Sequence, residues 1–287
     1  MYKRQALNTL LRAFCLSFYY SYRIEISPSH RYKIVNNLSL GIARYCIARL
    51  PFFYGWVVVA CTFIVLTAAY GVQFSYGVLM PEIQAETGWS RTSLSLVYAV
   101  YVFVYSALGI VTGLCTDRWG PRIVITVGGV LLGAGVMLSS QAGELWQLYL
   151  SFGLLAALGM SAAFVPCSST VVRWFAVRRG LALSICASGS SFGTFVIPPL
   201  AAALMPVYGW RVSYFFIGLC ATVVIAVCAV FTVRDPESMG LRPDGTPPEN
   251  NDFVEANVGD SAANGWTLSQ ARKTRAMWVL MAVFTAT

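Results

Sequence analysis

An all-α membrane protein is the fold class this sequence predicts, and three observations carry the prediction. Six apolar stretches lie between residues 55 and 233, each of bilayer length and each free of Lys, Arg, Asp, Glu and His. About 20 apolar residues suffice to cross a ~30 Å hydrocarbon core as a helix. Hydrophobic residues make up 57% of the chain and charged residues 11%, with a mean hydropathy of +0.65. That leaves too few solvating groups to cover a soluble globule of 287 residues. Basic residues then alternate between the two sides of the stretches, as a polytopic membrane protein requires.

Charged residues punctuate the elements. The first helix is read over residues 55–80, closing before Glu82, and the second over 92–116, between Arg91 and Asp117. The third covers 123–142 and the fourth 145–172, with Glu144 between them; the fifth covers 180–207 and the sixth 212–233, with Arg211 between them. Arg118, Arg122, Arg173, Arg178, Arg179, Arg234, Arg242, Arg272, Lys273 and Arg275 follow even-numbered helices, whereas only Arg91 and Arg211 lie on the opposite side. This asymmetry predicts a cytoplasmic N-terminus and cytoplasmic even-numbered loops, and a plasma membrane of bacterial type is the expected location. The net charge of +8 is thus a topology signal, and no nucleic-acid partner is expected. All eight Trp residues lie in loops or near span ends, where an indole can sit between headgroups and acyl chains.

The eight Cys residues show no Cys-x-x-Cys spacing, and Cys61, Cys167, Cys186, Cys220 and Cys228 lie in apolar spans, where a thiol behaves as a small hydrophobe. The sole His, His30, precedes the first span, so neither zinc chemistry nor a His-activated nucleophile has a partner in the membrane body. Gly189-Ser190-Ser191-Phe192-Gly193 satisfies the Gly-x-Ser-x-Gly spacing, but that motif needs a strand-turn-helix setting and a His. No phosphate-binding Gly-x-x-x-x-Gly-Lys-Ser/Thr occurs. No enzyme activity, cofactor or metal is expected.

The two ends read differently from the middle. Residues 1–50 are basic and Tyr-rich, with no Gly before Gly41 and no window long enough to cross a membrane. They are read as a doubtful extension, with an artefact of translation or assembly and a real cytoplasmic segment as the two readings. Residues 51–234 form the membrane bundle, and residues 235–275, rich in Pro, Gly, Asn and Asp, read as a flexible cytoplasmic linker with a short interfacial helix at 266–275. Residues 276–287 read as the truncated start of a seventh span.

Two motifs lie on the cytoplasmic side. Gly113-Leu-Cys-Thr-Asp117-Arg118-Trp-Gly120-Pro121-Arg122 places a charge pair at a helix end, a Gly-Pro turn and a basic anchor at the membrane surface. It resembles the Gly-x-x-x-Asp-Arg-x-Gly-x-Arg loop signature of the major facilitator superfamily at every fixed position. A second run, Gly159, Phe164, Pro166, Arg173-Trp174-Phe175, Arg178-Arg179-Gly180-Leu181-Ala182, Gly189-Ser190 and Gly193, is similar to the monocarboxylate transporter and oxalate–formate antiporter branch. Tyr54-Gly55-Trp56, Gly209-Trp210-Arg211 and Pro243-Asp244-Gly245 resemble the same branch. The resemblance covers about residues 51–287 and implies the six-helix N-terminal bundle of a 12-helix major facilitator fold plus the start of helix 7. It also implies a conformational latch at Asp117, with Arg173 as its expected partner. The fourth span lacks the Arg-led motif of proton-coupled drug exporters.

Glycines four apart, at Gly129 and Gly133 and at Gly189 and Gly193, should let neighbouring helices approach closely. Thr194, Ile197 and Pro198 depart from the antiporter signature on the fifth helix, so exchange and proton symport both stay open. Polar groups within the spans must face protein or water. Gln73 places a carboxamide deep inside the first span, while Tyr98, Tyr101 and Tyr105 share one face of the second. Gly71-Val-Gln73-Phe74-Ser-Tyr76 resembles the first helix of the oxalate–formate antiporter, which implies that Gln73 contacts substrate. Phe74, Phe164 and Ser190 stand where that antiporter has Tyr, which favours a less polar monocarboxylate over a small dicarboxylate. For each tyrosine, ordinary helix packing is the competing reading. The spans hold no charge to balance an anion, so a missing C-terminal six-helix half must provide one or the cargo must be neutral or protonated. The resulting expectation is half of an alternating-access transporter for a small organic anion, with protons as a possible second ligand and the lipid bilayer as surroundings. A drug or sugar facilitator and a non-transporting receptor or scaffold are the alternatives.

Overall fold

The computed structural model describes residues 53–239 and 241–245. The readings of residues 1–50, of His30, of most of the linker and of the seventh span lie outside the described residues.

Five helical stretches in this region are long and apolar enough to cross a membrane. They are α1 (Gly55–Thr87), α2 (Arg91–Trp119), α3 (Pro121–Ser139), α4 (Leu145–Trp174) and a 53-residue stretch, Arg179–Phe231. Straight, that last stretch would be about 80 Å long, far more than a bilayer. It is two helices, α5 (residues 179–208) and α6 (residues 210–231), joined at Gly209, whose φ of 75° is open to glycine and strained for other residues. The described residues therefore hold the six spans read from the sequence.

Boundaries move for local reasons. α1 continues past the apolar stretch through Pro81 and ends at Gly88, a left-handed cap at φ 72° whose N–H returns to the Gln84 carbonyl. Ser90 caps α2, its hydroxyl accepting from the Ser93 N–H at 3.1 Å. α3 starts at Pro121, where a missing N–H costs nothing. α4 is not uniform: it widens to π geometry over Tyr149–Ala156 and is interrupted at Ala162–Ala163. Pro166 accounts for the interruption, since its ring cannot donate to the Ala162 carbonyl and clashes with it.

Small residues set the packing. A side-chain carbon at Gly189 or Gly193 would run into the backbone carbonyls of Phe63 and Thr67, so α5 lies directly against α1, the two running parallel. Gly129 and Gly133 do the same between α3 and α6, facing Ile225, Gly218 and Thr222, and Gly128, Gly135 and Gly159 close α3 onto α4. The expected close approaches therefore all occur. Thr67 adds a hydrogen bond to the Gly189 carbonyl at 3.1 Å, and Ser139 and Ser151 pair at 2.9 Å between α3 and α4. Trp174 and Trp210 are buried in the bundle, so their indoles pack against protein, whereas Trp119 and Trp146 are exposed.

Candidate functional site

Within the membrane a polar-aromatic cluster joins four helices. Gln73 of α1 is buried, and its Nε2 donates to the Tyr98 hydroxyl of α2 at 3.2 Å. Its Oε1 has no hydrogen-bond partner. Tyr76, one turn further along α1, donates its hydroxyl to the Leu94 carbonyl at 3.0 Å. Its ring stacks on Phe152 of α4 at 4.4 Å and on Tyr98 at 5.9 Å. Tyr101 stacks on the same Phe152 at 4.6 Å, and Tyr214 of α6 tilts against it at 6.3 Å. Tyr98, Tyr101 and Tyr105 form a continuous row of rings, with centroids 6.0 Å and 5.7 Å apart.

Tyr76 and Tyr101 are wholly enclosed, whereas Tyr98 and Tyr105 are partly accessible. Phe74 and Phe164 are exposed on the bundle surface, and Ser190 is half-buried with its hydroxyl donating to the Ala187 carbonyl. Among the described residues no hydrogen bond or ring contact joins those three to Gln73. Phe152 and Tyr214 were missed in the sequence, because an aromatic ring in a uniformly apolar run carries no signal of the face it occupies. The hydroxyls of Tyr101 and Tyr214 also lack partners. Three enclosed polar atoms without partners are costly, and a donor such as a protonated carboxyl or a water could satisfy the Gln73 oxygen.

On the expected cytoplasmic side, the motif residues converge on the C-terminus of α6. Arg122 donates Nε to the Ala229 carbonyl at 3.1 Å and a second guanidinium nitrogen to the Val230 carbonyl. Tyr54 donates to the Phe231 carbonyl at 2.9 Å and Trp174 to the Val233 carbonyl at 2.9 Å. The last carbonyls of a helix have no partner within it, so these side chains from α1, α3 and α4 act together as its cap. Phe53 and Trp56 pack on Phe175, and Tyr54 on Trp174, with centroids 5.0–5.6 Å apart. The Tyr-Gly-Trp and Arg-Trp-Phe segments thus meet, and a side chain at Gly55 would collide with the Phe53 ring and crowd the Phe175 ring behind it.

Arg173 bridges Asp117 at 3.3 Å and Asp235 at 3.0 Å. The expected partner is therefore in place, and both contacts lie inside the one six-helix body. Gly113 faces Val165 across α2 and α4 with ordinary clearance, and Gly120 turns the chain at φ 85°. Arg118, exposed in the last turn of α2, complements the helix dipole. Arg178 sits at the N-cap of α5, and Arg179 donates to the Phe175 carbonyl at 3.3 Å. Part of the segment read as a flexible linker is also tied down: the Asp244 carboxylate accepts the N–H groups of Ala176 and Val177 at 2.8 Å and 2.6 Å.

The opposite end carries a clamp that the sequence reading did not identify. Glu86, beyond the apolar part of α1, accepts from Arg211 at 2.8 Å and from the Trp210 indole. Arg211 also donates to the Ser140 and Ala142 carbonyls at 3.0 Å each and lies 4.6 Å from the Trp210 ring centroid. The Arg211 hydrogen bond, helped by the indole, holds the Glu86 carboxyl below its ordinary range. Gly-Trp-Arg at the start of a span was the available signal. Among the described residues no group of three or more His, Cys, Asp or Glu could hold a metal.

A profile of the Major Facilitator Superfamily matches residues 59–287. Monocarboxylate transporter 11 of Homo sapiens is 33% identical over 165 residues, covering 58% of this chain and 35% of its own. Monocarboxylate transporter 12 of Homo sapiens is 30% identical over 205 residues, covering 69% and 37%, and riboflavin transporter RibJ of Trypanosoma brucei brucei is 27% identical over 202 residues with the same coverage. The chain spans little more than a third of the length of these curated relatives. A multi-pass helical bundle built around the loop signature, and a profile match over most of its length, make this chain a member of the major facilitator superfamily that is similar to the monocarboxylate transporters.

Proposed function

We propose that this chain forms the N-terminal half of a secondary transporter that moves a small monocarboxylate by alternating access, with a proton or in exchange for another anion. The observation that carries the reading is Gln73, held by Tyr98 with its carbonyl oxygen unpartnered and enclosed at membrane depth. A neutral acceptor in a neutral site suits an acid that enters protonated, or an anion whose charge is balanced by a Lys or Arg from a second half. The cytoplasmic N-terminus rests on the charge asymmetry of the loops. Relatives from human and trypanosome sources lend no particular support to a bacterial inner membrane. A neutral aromatic cargo is the second reading, favoured by the riboflavin transporter match and the uncharged spans. A catalytic role has no support.

Reconstitution of the full reading frame in vesicles tests the proposal. Uptake of labelled lactate or pyruvate should be driven by an inward proton gradient or by an internal monocarboxylate, and Gln73→Leu should abolish it. Riboflavin uptake without monocarboxylate uptake would favour the second reading, and uptake of neither would leave a receptor or scaffold.

A further inference from the structure

A groove of about 470 Å³ runs along the outside of the bundle between α3 and α4, at the end away from the Arg-rich loops. Its walls are Leu138, Leu150, Leu154, Leu155 and Leu158, and Gln141, Trp146 and Gln147 stand at its mouth. The π-helical stretch Tyr149–Ala156 makes it: Ser151 and Ala156 turn towards α3 and Gly153 towards α2, which leaves Leu150 and Leu154 in an exposed row between them. From Gln147 to Leu158 the groove follows α4 for about 15 Å, half the thickness of a ~30 Å hydrocarbon core. It is therefore one leaflet deep.

The mouth has a definite chemistry. Gln147 uses its oxygen to accept the Gly143 and Glu144 N–H groups at 2.8 Å and 3.3 Å, which leaves its NH2 as a donor. Exposed Gln141 supplies a second amide. The exposed Glu144 carboxylate, fixed by the Trp146 indole at 3.0 Å, brings a negative charge. Arg211 reaches the same α3–α4 turn, but Glu86 and the Ser140 and Ala142 carbonyls already hold it. Amide donors beside an acidic group match a phosphate that carries its own ammonium and repel a headgroup with net negative charge.

We propose that this groove is a binding site for a zwitterionic phospholipid of the leaflet opposite the Arg-rich loops, one acyl chain lying along Leu150, Leu154 and Leu158 and the headgroup at Gln141, Glu144 and Gln147. This site is independent of the cargo and of the Gln73 cluster. Native mass spectrometry of the purified 287-residue chain, delipidated and titrated with palmitoyl-oleoyl phosphatidylethanolamine or with phosphatidylglycerol of the same chains, tests it. One phosphatidylethanolamine should bind about tenfold more tightly than phosphatidylglycerol, close to 1.4 kcal/mol. Leu154→Trp, which fills the groove with an apolar ring, should weaken both by a similar factor. Glu144→Gln, on the surface and still able to accept the Trp146 indole, should retain lipid and lose the preference between headgroups. Equal binding of both lipids by all three proteins would overturn the proposal. So would a dimer of the chain that Leu154→Trp dissolves, since a second copy would then be the occupant.

Discussion

Arg122 shows how a single residue of the loop signature contributes. It satisfies two carbonyls of α6, so Arg122→Ala should cost about 2 kcal/mol, by the usual worth of charged hydrogen bonds. Arg122→Lys should recover only part of that loss, because an ammonium cannot copy the guanidinium fork. Unfolding titrations in detergent with added SDS measure both. Gln73→Leu should act in the opposite sense on stability: removing an enclosed, unpartnered oxygen should leave the bundle as stable or up to about 1 kcal/mol more stable. A stable but inactive variant would separate a binding role from a packing role. At this scale the sequence was legible in part: the motifs marked Asp117 and Arg173, whereas the Glu86–Arg211 pair went unread. Asp117 and Arg173 end helices on the same membrane face, but Arg118, Arg122, Arg178 and Arg179 share that face, and it was the family resemblance that pointed to Asp117 with Arg173 as its partner. Tyr54 and Asp244 were legible only as pieces of a pattern, since nothing in their neighbours shows that one caps α6 and the other holds the α4–α5 turn.

The helices themselves were legible in number and direction, because a bilayer dictates their length and loop charge dictates their sense. Their internal texture was less so. The π turn of α4 lies in close contact with α2 and α3, and a run of Leu, Ser, Phe, Gly and Ala gives no sign of it. The glycine faces were readable from their spacing, and they support a firm prediction. Gly193→Val would drive a branched side chain into the Thr67 carbonyl and separate α5 from α1. A destabilisation of about 1–3 kcal/mol is the usual consequence of overpacking. Gly180→Ala, on an exposed turn with open space around it, is the control and should change little. The clamp between α1 and α6 should respond to acid. The folded Glu86 carboxyl titrates below its ordinary value of 4.5, so its contribution is complete above that value and disappears as the pH falls through the lowered one. Melting temperature followed from pH 7 to pH 3 should therefore fall at the acid end, and Glu86→Gln should flatten the profile.

For the molecule as a whole, the described spans carry no charge among their apolar residues, and this neutrality decides what must be asked of the rest. If the transported species is an anion throughout, a cation near the midplane has to come from elsewhere in the protein. If it travels with a proton, this bundle can present neutral hydrogen bonds alone. Lactate uptake that saturates with external proton concentration, at constant membrane potential, is the expected outcome for proton coupling, whereas strict dependence on an internal counter-anion is the outcome for exchange. The sequence made the class of protein readable and left the cargo open, because uncharged side chains discriminate by shape and shape is settled only when both walls of a cavity are present. The turn at Gly209 has a practical corollary. One residue joins α5 to α6, so at that junction there is no loop for a protease to cut, an antibody to grip or an inserted tag to occupy. Mapping experiments that rely on such handles should succeed at Gly88 or Gly143 and fail at Gly209, where any added length would force two packed helices out of register.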